Sequence, residues 1–271
     1  MKIASWNVNG LRSVSKTTFF DWLAKSRPDI VCLQEIKAEC SLLAQELIYI
    51  PGYYSYFNSA QKKGYSGVAV YTKIKPLAVE TRMGIDRFDM EGRVLKLIFK
   101  DFVLFNLYIP HGGRAKDKLE YKLQVYKSLC ACLSSYTDQD VVLAGDFNIA
   151  HTELDLYYPK QNFNNNMFTP IERKQLDMLV AMGFRDSFRK IYPDTKAYTM
   201  WPNAFHLRER DIGWRIDYIY VTRQLEAILS DAYIEKDVLG SDHAPLGIVL
   251  NKEVVIDEIP PSPPKIQTSL F

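Results

Sequence analysis

Eight short apolar runs punctuate this chain from end to end: "KIASWNV", "DIVCLQE", "SGVAVYT", "VLKLIFK", "FVLFNLYIP", "DVVLAGDFN", "RIDYIYVT" and "APLGIVL". Several are β-branched or aromatic and bounded by Gly, Pro, Asn or Asp, so they read as strands. Helical patterns lie between some of them. "KTTFFDWLAKS" puts Phe19, Trp22 and Leu23 on one stripe, and "KLEYKLQVYKSLCACLSSY" is a longer pattern of the same kind. "TPIERKQLDMLVAMGF" carries start and stop signals. Thr169 can cap, Pro170 suits the first turn, Glu172 stands three residues after Thr169, and Gly183 suits the end. Strands in pairs, with helices between some, predict an α/β fold of sheets packed face to face with helices outside. No internal repeat is visible and no linker precedes about Val255. The expected organisation is one catalytic domain over residues 1–254 and a Pro-rich tail over 255–271.

Of the 271 residues, 47% are hydrophobic, enough for a sizeable core. The net charge of +2 advertises no global basic field, although carboxylates at a metal site would offset basic residues elsewhere in that sum. Cys32, Cys40, Cys130 and Cys132 form no C-x-x-C pair and have no zinc spacing with His, so reduced thiols are expected. The start "MKIASWNVNG" lacks a signal-peptide core, and no run approaches the ~20 apolar residues of a membrane span. A cytosolic protein with no membrane partner is expected.

Unusual polar residues collect at the ends of the apolar runs. They are Asn7 and Asn9, Gln34 and Glu35, Asn106, Tyr108 and His111, Asp146 and Asn148, Asp217, and Asp242 with His243. Taken singly, an Asp or Asn after a strand is turn chemistry. Asp217, between Ile216 and Tyr218, is harder to place that way, because a buried carboxylate needs a partner. Glu35 poses the same problem. Six strand ends carrying Asp, Asn, Glu and His predict one shared site at one edge of the sheets. Such oxygen donors suit a hard cation, with Glu35 and Asp242 the expected ligands and Asn7 nearby. Mg²⁺ is the expected ion and Mn²⁺ its expected substitute. There is no G-x-x-x-x-G-K-[ST] and no G-x-S-x-G.

Read together and in order, "WNVNGLR", "LQEIK", "GYSGVAVY", "LYIPHGGR", "GDFNIAH", "GWRIDY" and "GSDHAP" closely resemble the exonuclease III family of apurinic/apyrimidinic (AP) endonucleases, over roughly Met1 to Leu250. The resemblance implies a four-layered α/β sandwich of the DNase I-like kind, two packed mixed sheets flanked by helices. It also implies a Mg²⁺ requirement and cleavage of DNA phosphodiesters 5′ to an abasic site, with 3′-phosphodiesterase and 3′-to-5′ exonuclease action. By the same resemblance Glu35 binds the metal with Asn7, Asn9 and Asp242 in or beside its shell. Asp146 orients or deprotonates the attacking water beside Asn148. Tyr108 and His243 contact phosphate oxygens, and Asp217 holds His243 charged. The general base stays open among Asp146, His243 and metal-bound hydroxide. Met200, Trp214 and Ile216 match a pocket for a base-less sugar flipped from the helix. Arg12, Tyr65, Arg114, Asn162 and Asn165 match contacts to DNA backbone or groove. Departures are Asn9 where some relatives carry Asp, Met167 where glycine is common, Met200 in place of an aromatic, and a glycine-rich "PHGGR". A phosphodiesterase or phosphatase for lipid or inositol phosphates is the alternative, and "YTMWPNAF" with "GWRID" argues against it. An inactive DNA-binding subunit would not need every catalytic position filled.

The chain ends in "PPSPPKIQTSLF". Its prolines favour an extended spacer at about 3.1 Å per residue. "QTSLF" resembles the short Gln-x-x-Leu-Phe peptides by which bacterial DNA-processing proteins dock on the sliding clamp. In that reading Gln267 contacts the pocket mouth, and Leu270 and Phe271 fill an apolar groove. The expected partners are damaged duplex DNA and a bacterial clamp, for a monomer in the cytoplasm near the nucleoid.

Overall fold

The computed structural model describes residues 1–113 and 115–255. Arg114, Gln267, Leu270 and Phe271 therefore lie outside the described residues, as does most of the expected tail. All eight apolar runs form strands, and four further strands join them. In chain order they are β1 (Lys2–Asn7), β2 (Ile30–Gln34), β3 (Tyr54–Asn58), β4 (Val68–Thr72), β5 (Ala78–Glu80) and β6 (Val94–Ile98). There follow β7 (Val103–Tyr108), β8 (Val141–Asp146), β9 (Arg185–Asp186), β10 (Asp217–Val221), β11 (Leu229–Ile234) and β12 (Leu246–Leu250). One sheet has the order β11-β12-β1-β2-β4-β3 and the other β5-β6-β7-β8-β10-β9. The four strands without a clear sequence signal, β3, β5, β9 and β11, are the four sheet edges. Edge strands are half solvated or very short, so they do not need an apolar run.

Alternation along the strands builds the layers. Ile3 of β1, Cys32 of β2, Val142 and Ala144 of β8 and Ile248 of β12 point between the sheets, where they meet Val70, Leu95, Leu104 and Ile219. Their neighbours face outward. Ala4, Trp6, Val31 and Leu33 pack on Phe19, Trp22 and Leu23 of the helix Phe19–Ser26. Val141 and Leu143 pack on Val125, Leu129, Leu176 and Leu179 of the helices Leu119–Leu133 and Pro170–Ala181. The second of these helices opens as its sequence requires. Thr169 accepts from the amide of Glu172, and the Glu172 side chain returns to the Thr169 amide. Helix, sheet, sheet and helix make the four-layered, DNase I-like sandwich that the resemblance implies.

Cys32 is fully buried, and desolvation pushes its thiol far up. The four cysteines are unpaired.

Register explains why distant residues meet. β1 runs parallel to β2 with Asn7 opposite Gln34, and β7 runs parallel to β8 with Tyr108 opposite Asp146. β10 is antiparallel to β8 and starts there, with Asp217 opposite Asp146. The C-terminal ends of four strands and the beginning of a fifth thus share one edge. At that edge β7 and β8 approach so closely that a Cβ on Gly145 would lie 1.9 Å from the Leu107 carbonyl oxygen. Only glycine fits there, at φ 144°.

Candidate active site

Asn7 joins the two halves of the site. Its side chain is buried at the end of β1, and Nδ2 donates to Glu35 Oε1 at 3.1 Å and to Asp146 Oδ2 at 2.9 Å. Its Oδ1 accepts the Asn9 amide at 3.0 Å. Asn9 Nδ2 in turn donates to Asp242 Oδ1 at 2.8 Å. Glu35, just past β2, has a φ of 50°, Asn9 of 46°, Lys37 of 49° and Asn148 of 52°. Side chains rarely hold this left-handed conformation unless their surroundings enforce it, and such residues cluster at functional sites.

Lys37 lies among the same oxygens. Its ammonium is 2.9 Å from Glu35 Oε2 and donates to Asn9 Oδ1. Burial alone would push the Glu35 carboxyl up. Lys37 and the Asn7 amide outweigh that and hold it below the usual range, so Glu35 is an anion. Glu35, Asn9 and Asp242 supply hard oxygen donors, and a cationic group already sits against two of them. The donor set therefore fits a divalent cation such as Mg²⁺.

Across Asn7 lies a buried triad. His243 Nδ1 is 2.9 Å from Asp217 Oδ2, and Asp146, Asp217 and His243 offer ligand-type atoms within 4.8 Å of one another. Thr199 Oγ1 donates to the same Asp217 oxygen at 2.6 Å and accepts the Ile216 and Asp217 amides at 3.1 and 3.2 Å. Asp217 Oδ1 is buried and has no partner among the described residues. Burial opposes a charge on His243, but Asp217 and then Asp146 outweigh it and push the imidazole up to about 10. The imidazolium is therefore the form present near neutral pH. Asp146 moves the other way from an ordinary carboxyl. Burial and the Asp217 charge raise it against the pull of His243, so its carboxylate, once ionised, holds a proton more tightly than an ordinary one. Its Oδ1 accepts the Asn148 amide at 2.9 Å, and Asn148 Nδ2 is anchored on the Ile109 carbonyl at 2.9 Å.

Tyr108 stands opposite Asp146 at the end of β7. Desolvation, then the Glu35 charge, push its hydroxyl well above the ordinary phenol range, so it stays a neutral donor. The buried Arg93 guanidinium lies 4.3 Å from the Tyr108 ring centre. It donates to the Tyr108 carbonyl at 3.1 Å and to the Tyr65 hydroxyl at 2.9 Å. Tyr65 and Tyr108 are thus held by one cation.

Beside the triad is a small apolar patch. Met200 and Ile216 are buried with Ala150, Leu156, Met167 and Phe168, and Trp214 packs against them partly exposed. Met200 forms backbone bridges to both His243 and Trp214, so the patch borders the strand segment that carries the imidazole. The sequence-predicted trio is therefore brought together. Met167 holds φ 70°, the conformation for which glycine is suited. Arg12 is exposed and lines a cleft with Lys16 and Lys37. Asn165 Nδ2 donates to Asn162 Oδ1 at 2.8 Å in the segment that leads to Met167.

The profile of the endonuclease/exonuclease/phosphatase family matches residues 4–243. The chain belongs to that family. Its exonuclease and AP-endonuclease branch supplies the similar proteins. An exodeoxyribonuclease of Bacillus subtilis (strain 168) is 41% identical over 254 residues, 93% of this chain and 100% of the relative. The DNA repair nuclease APEX1 of Danio rerio is 41% identical over 254 residues, 92% of this chain and 82% of the relative. An AP endonuclease from Archaeoglobus fulgidus superposes with a TM-score of 0.84 at 30% identity, covering 93% of this chain and 100% of that one. The 3′-5′ exonuclease NExo from Neisseria meningitidis gives 0.85 at 28% identity, covering 92% and 99%.

Three residues of this endonuclease/exonuclease/phosphatase family member were not legible as site residues. Lys37 reads as a solvated charge after "LQE", and Arg93 as one before a strand. Thr199 reads as a polar residue among aromatics.

Proposed function

We propose that the protein is a Mg²⁺-dependent AP endonuclease that hydrolyses the DNA phosphodiester 5′ to an abasic site, leaving a 3′-hydroxyl and a 5′-deoxyribose phosphate. Trimming of blocked 3′ ends and 3′-to-5′ exonuclease action belong to the same reading. They are in keeping with similar proteins named exodeoxyribonuclease and 3′-5′ exonuclease. The single observation that carries the reading is the apolar patch of Met200, Trp214 and Ile216, joined to the Asp146, Asp217 and His243 triad by the backbone bridge between Met200 and His243. An apolar recess beside phosphodiesterase machinery accepts a bare sugar and refuses a nucleotide that keeps its base.

In the mechanism Asp146 accepts the proton of the attacking water, with Asn148 beside it. His243, kept cationic by Asp217, donates to a phosphate oxygen, and neutral Tyr108 donates to another. Glu35 and Asp242, with Asn7 and Asn9 beside them, would hold the divalent ion. When bound, that ion would supply positive charge against the negative charge that develops at the phosphate. Arg12, Tyr65, Asn162 and Asn165 serve the DNA backbone, as does Arg114 by the sequence reading. Mn²⁺ serves in place of Mg²⁺.

The test is incision of an abasic duplex in Mg²⁺ and then in EDTA. A Mg²⁺-dependent nick on the 5′ side is expected, and no such nick overturns the reading. Asp146→Asn is expected to abolish cutting while DNA binding survives.

The catalytic unit spans residues 1–254 and acts as a monomer. Among the described residues no helix is long and apolar enough to cross a membrane. The terminal "QTSLF" is read as a bacterial clamp-binding peptide, which tethers the enzyme on DNA and raises local concentration. Deletion of Gln267 to Phe271 then abolishes clamp pull-down and spares basal incision. Clamp binding that survives the deletion refutes the tether. Work at the nucleoid follows from the same tether.

A further inference from the structure

A lysine ammonium is enclosed behind the catalytic loop. Lys122 lies on the helix Leu119–Leu133 with its side chain fully buried, as is that of Glu172. Its Nζ donates to Glu172 Oε1 at 2.6 Å, to the Asn148 carbonyl at 2.6 Å and to the His111 carbonyl at 3.5 Å. Glu172 Oε1 also accepts the Met167 amide at 3.1 Å, and Oε2 accepts the Thr169 amide and hydroxyl at 3.1 and 2.7 Å. Three segments therefore meet on one ion pair: the loop after β7, the loop after β8, and the turn before the helix Pro170–Ala181.

The backbone gives the reason for a cation here. Asn148 has φ 52°, and its carbonyl faces the protein interior, where it needs a donor. The Met167 carbonyl accepts the Ala150 amide at 2.8 Å, so the catalytic loop and the wall of the apolar patch are stitched side by side. Stability alone does not explain the pair. Desolvating two charges often cancels their attraction, and apolar replacements of similar volume are often neutral or better. What the pair fixes is a spacing.

We propose that Lys122 is a positioning residue for strand cleavage. Seated on Glu172, its ammonium sets Asn148 against Met167 and Phe168, so that the cleavage centre and the sugar recess keep one separation. It touches no substrate. The inference rests on the abasic-site reading of that recess.

Lys122→Met alone strands a buried Glu172 and can fail to fold, so the double variant Lys122→Met/Glu172→Gln and the single Lys122→Arg carry the test. For the double variant, kcat on abasic duplex falls about 10- to 100-fold, because sub-ångström misplacement is enough to slow chemistry. KM stays within roughly threefold, as expected when ground-state binding is untouched. Lys122→Arg keeps the charge and recovers most of kcat. Hydrogen exchange on the metal-free protein is the second arm. Amides of Phe147 to Ala150 and Met167 to Thr169 exchange about tenfold faster in the double variant, while the middle of β8 stays protected. A folded double variant with the wild-type kcat, or with unchanged exchange at those amides, overturns the proposal. A wild type that does not cut abasic DNA sinks the functional reading instead, and the exchange arm then decides the spacing role by itself.

Discussion

Asp217 and His243 form a buried pair, Oδ2 to Nδ1 at 2.9 Å, in which the carboxylate fixes both the orientation and the charge of the ring. Thr199 holds the carboxylate from behind at 2.6 Å. Asp217→Asn keeps the shape and removes the charge that keeps the imidazole protonated. Incision should fall by about 10²- to 10⁴-fold, the usual worth of a positioned proton donor. Steady-state rates on abasic duplex, with DNA affinity measured separately, check this. A loss confined to affinity would place the pair in substrate binding alone.

Asp155 predicts how acid unfolds the protein. It is fully buried and bonded to Arg215 Nε at 2.8 Å and to Arg189 Nη2 at 2.7 Å. Burial pushes its carboxyl up, but the two guanidinium groups win and hold it at about 2, down from 3.8. A depressed carboxyl contributes stability that is present above its unfolded value and lost as pH falls through its folded one. The window is thus pH 4 down to 2, and the loss is about 2.5 kcal/mol at 1.36 kcal/mol per unit. Urea titrations across that window should show a shallower slope for Asp155→Asn. At pH 7 the same variant should lose about 3–5 kcal/mol, because Arg215 is left buried beside one partner fewer.

How much the sequence disclosed follows from burial. Central strands must be apolar on both faces, so "VVLAGD" and "DYIYV" declare themselves, whereas "YSYFN" and "LSDAYI" pair on one side only and do not. The site was legible where a polar side chain interrupts an apolar run, as at Asn7, Asp146 and Asp217. Long cations were not, because their ends reach across elements that sequence spacing does not relate. Lys122 did leave a trace. It falls on the same stripe as Val125, Tyr126, Leu129 and Leu133, where a charged residue has no reason to stand without a buried partner. Arg93 left none, since an arginine before a strand is ordinarily solvated.

Phe205 predicts a contact with DNA. It is 83% exposed in the loop that links Met200 to Trp214, two residues of the apolar patch. An aromatic ring left in water on a loop anchored at both ends in that patch offers a stacking face to the bases of bound DNA. Phe205→Ser should raise KM for abasic duplex about tenfold, the scale of one lost base–aromatic stack, with no change in melting temperature. Equal KM values for the variant and the wild type would make the ring incidental.

Metal removal leaves the Lys37 ammonium among the donor oxygens. Lys37 holds its ammonium 2.9 Å from Glu35 Oε2 and bonds Asn9 Oδ1, so the metal-free site is already neutralised from within. An incoming divalent ion must displace that ammonium from the oxygens it needs. Lys37→Met removes the competitor and leaves a more negative donor set. Lys37 is about a third exposed, at 33%, so screening tempers the effect. Mn²⁺ affinity, read by electron paramagnetic resonance on the DNA-free protein, should tighten by about fivefold, equivalent to about 1 kcal/mol. The metal-free variant should also melt lower than the wild type, because Glu35 then loses its nearest cation and keeps its charge against the Asn7 amide and the more distant His243. Added Mn²⁺ should restore more melting temperature to the variant than to the wild type. Weaker Mn²⁺ binding by the variant would reverse the assignment and make Lys37 a support of the ion rather than its rival.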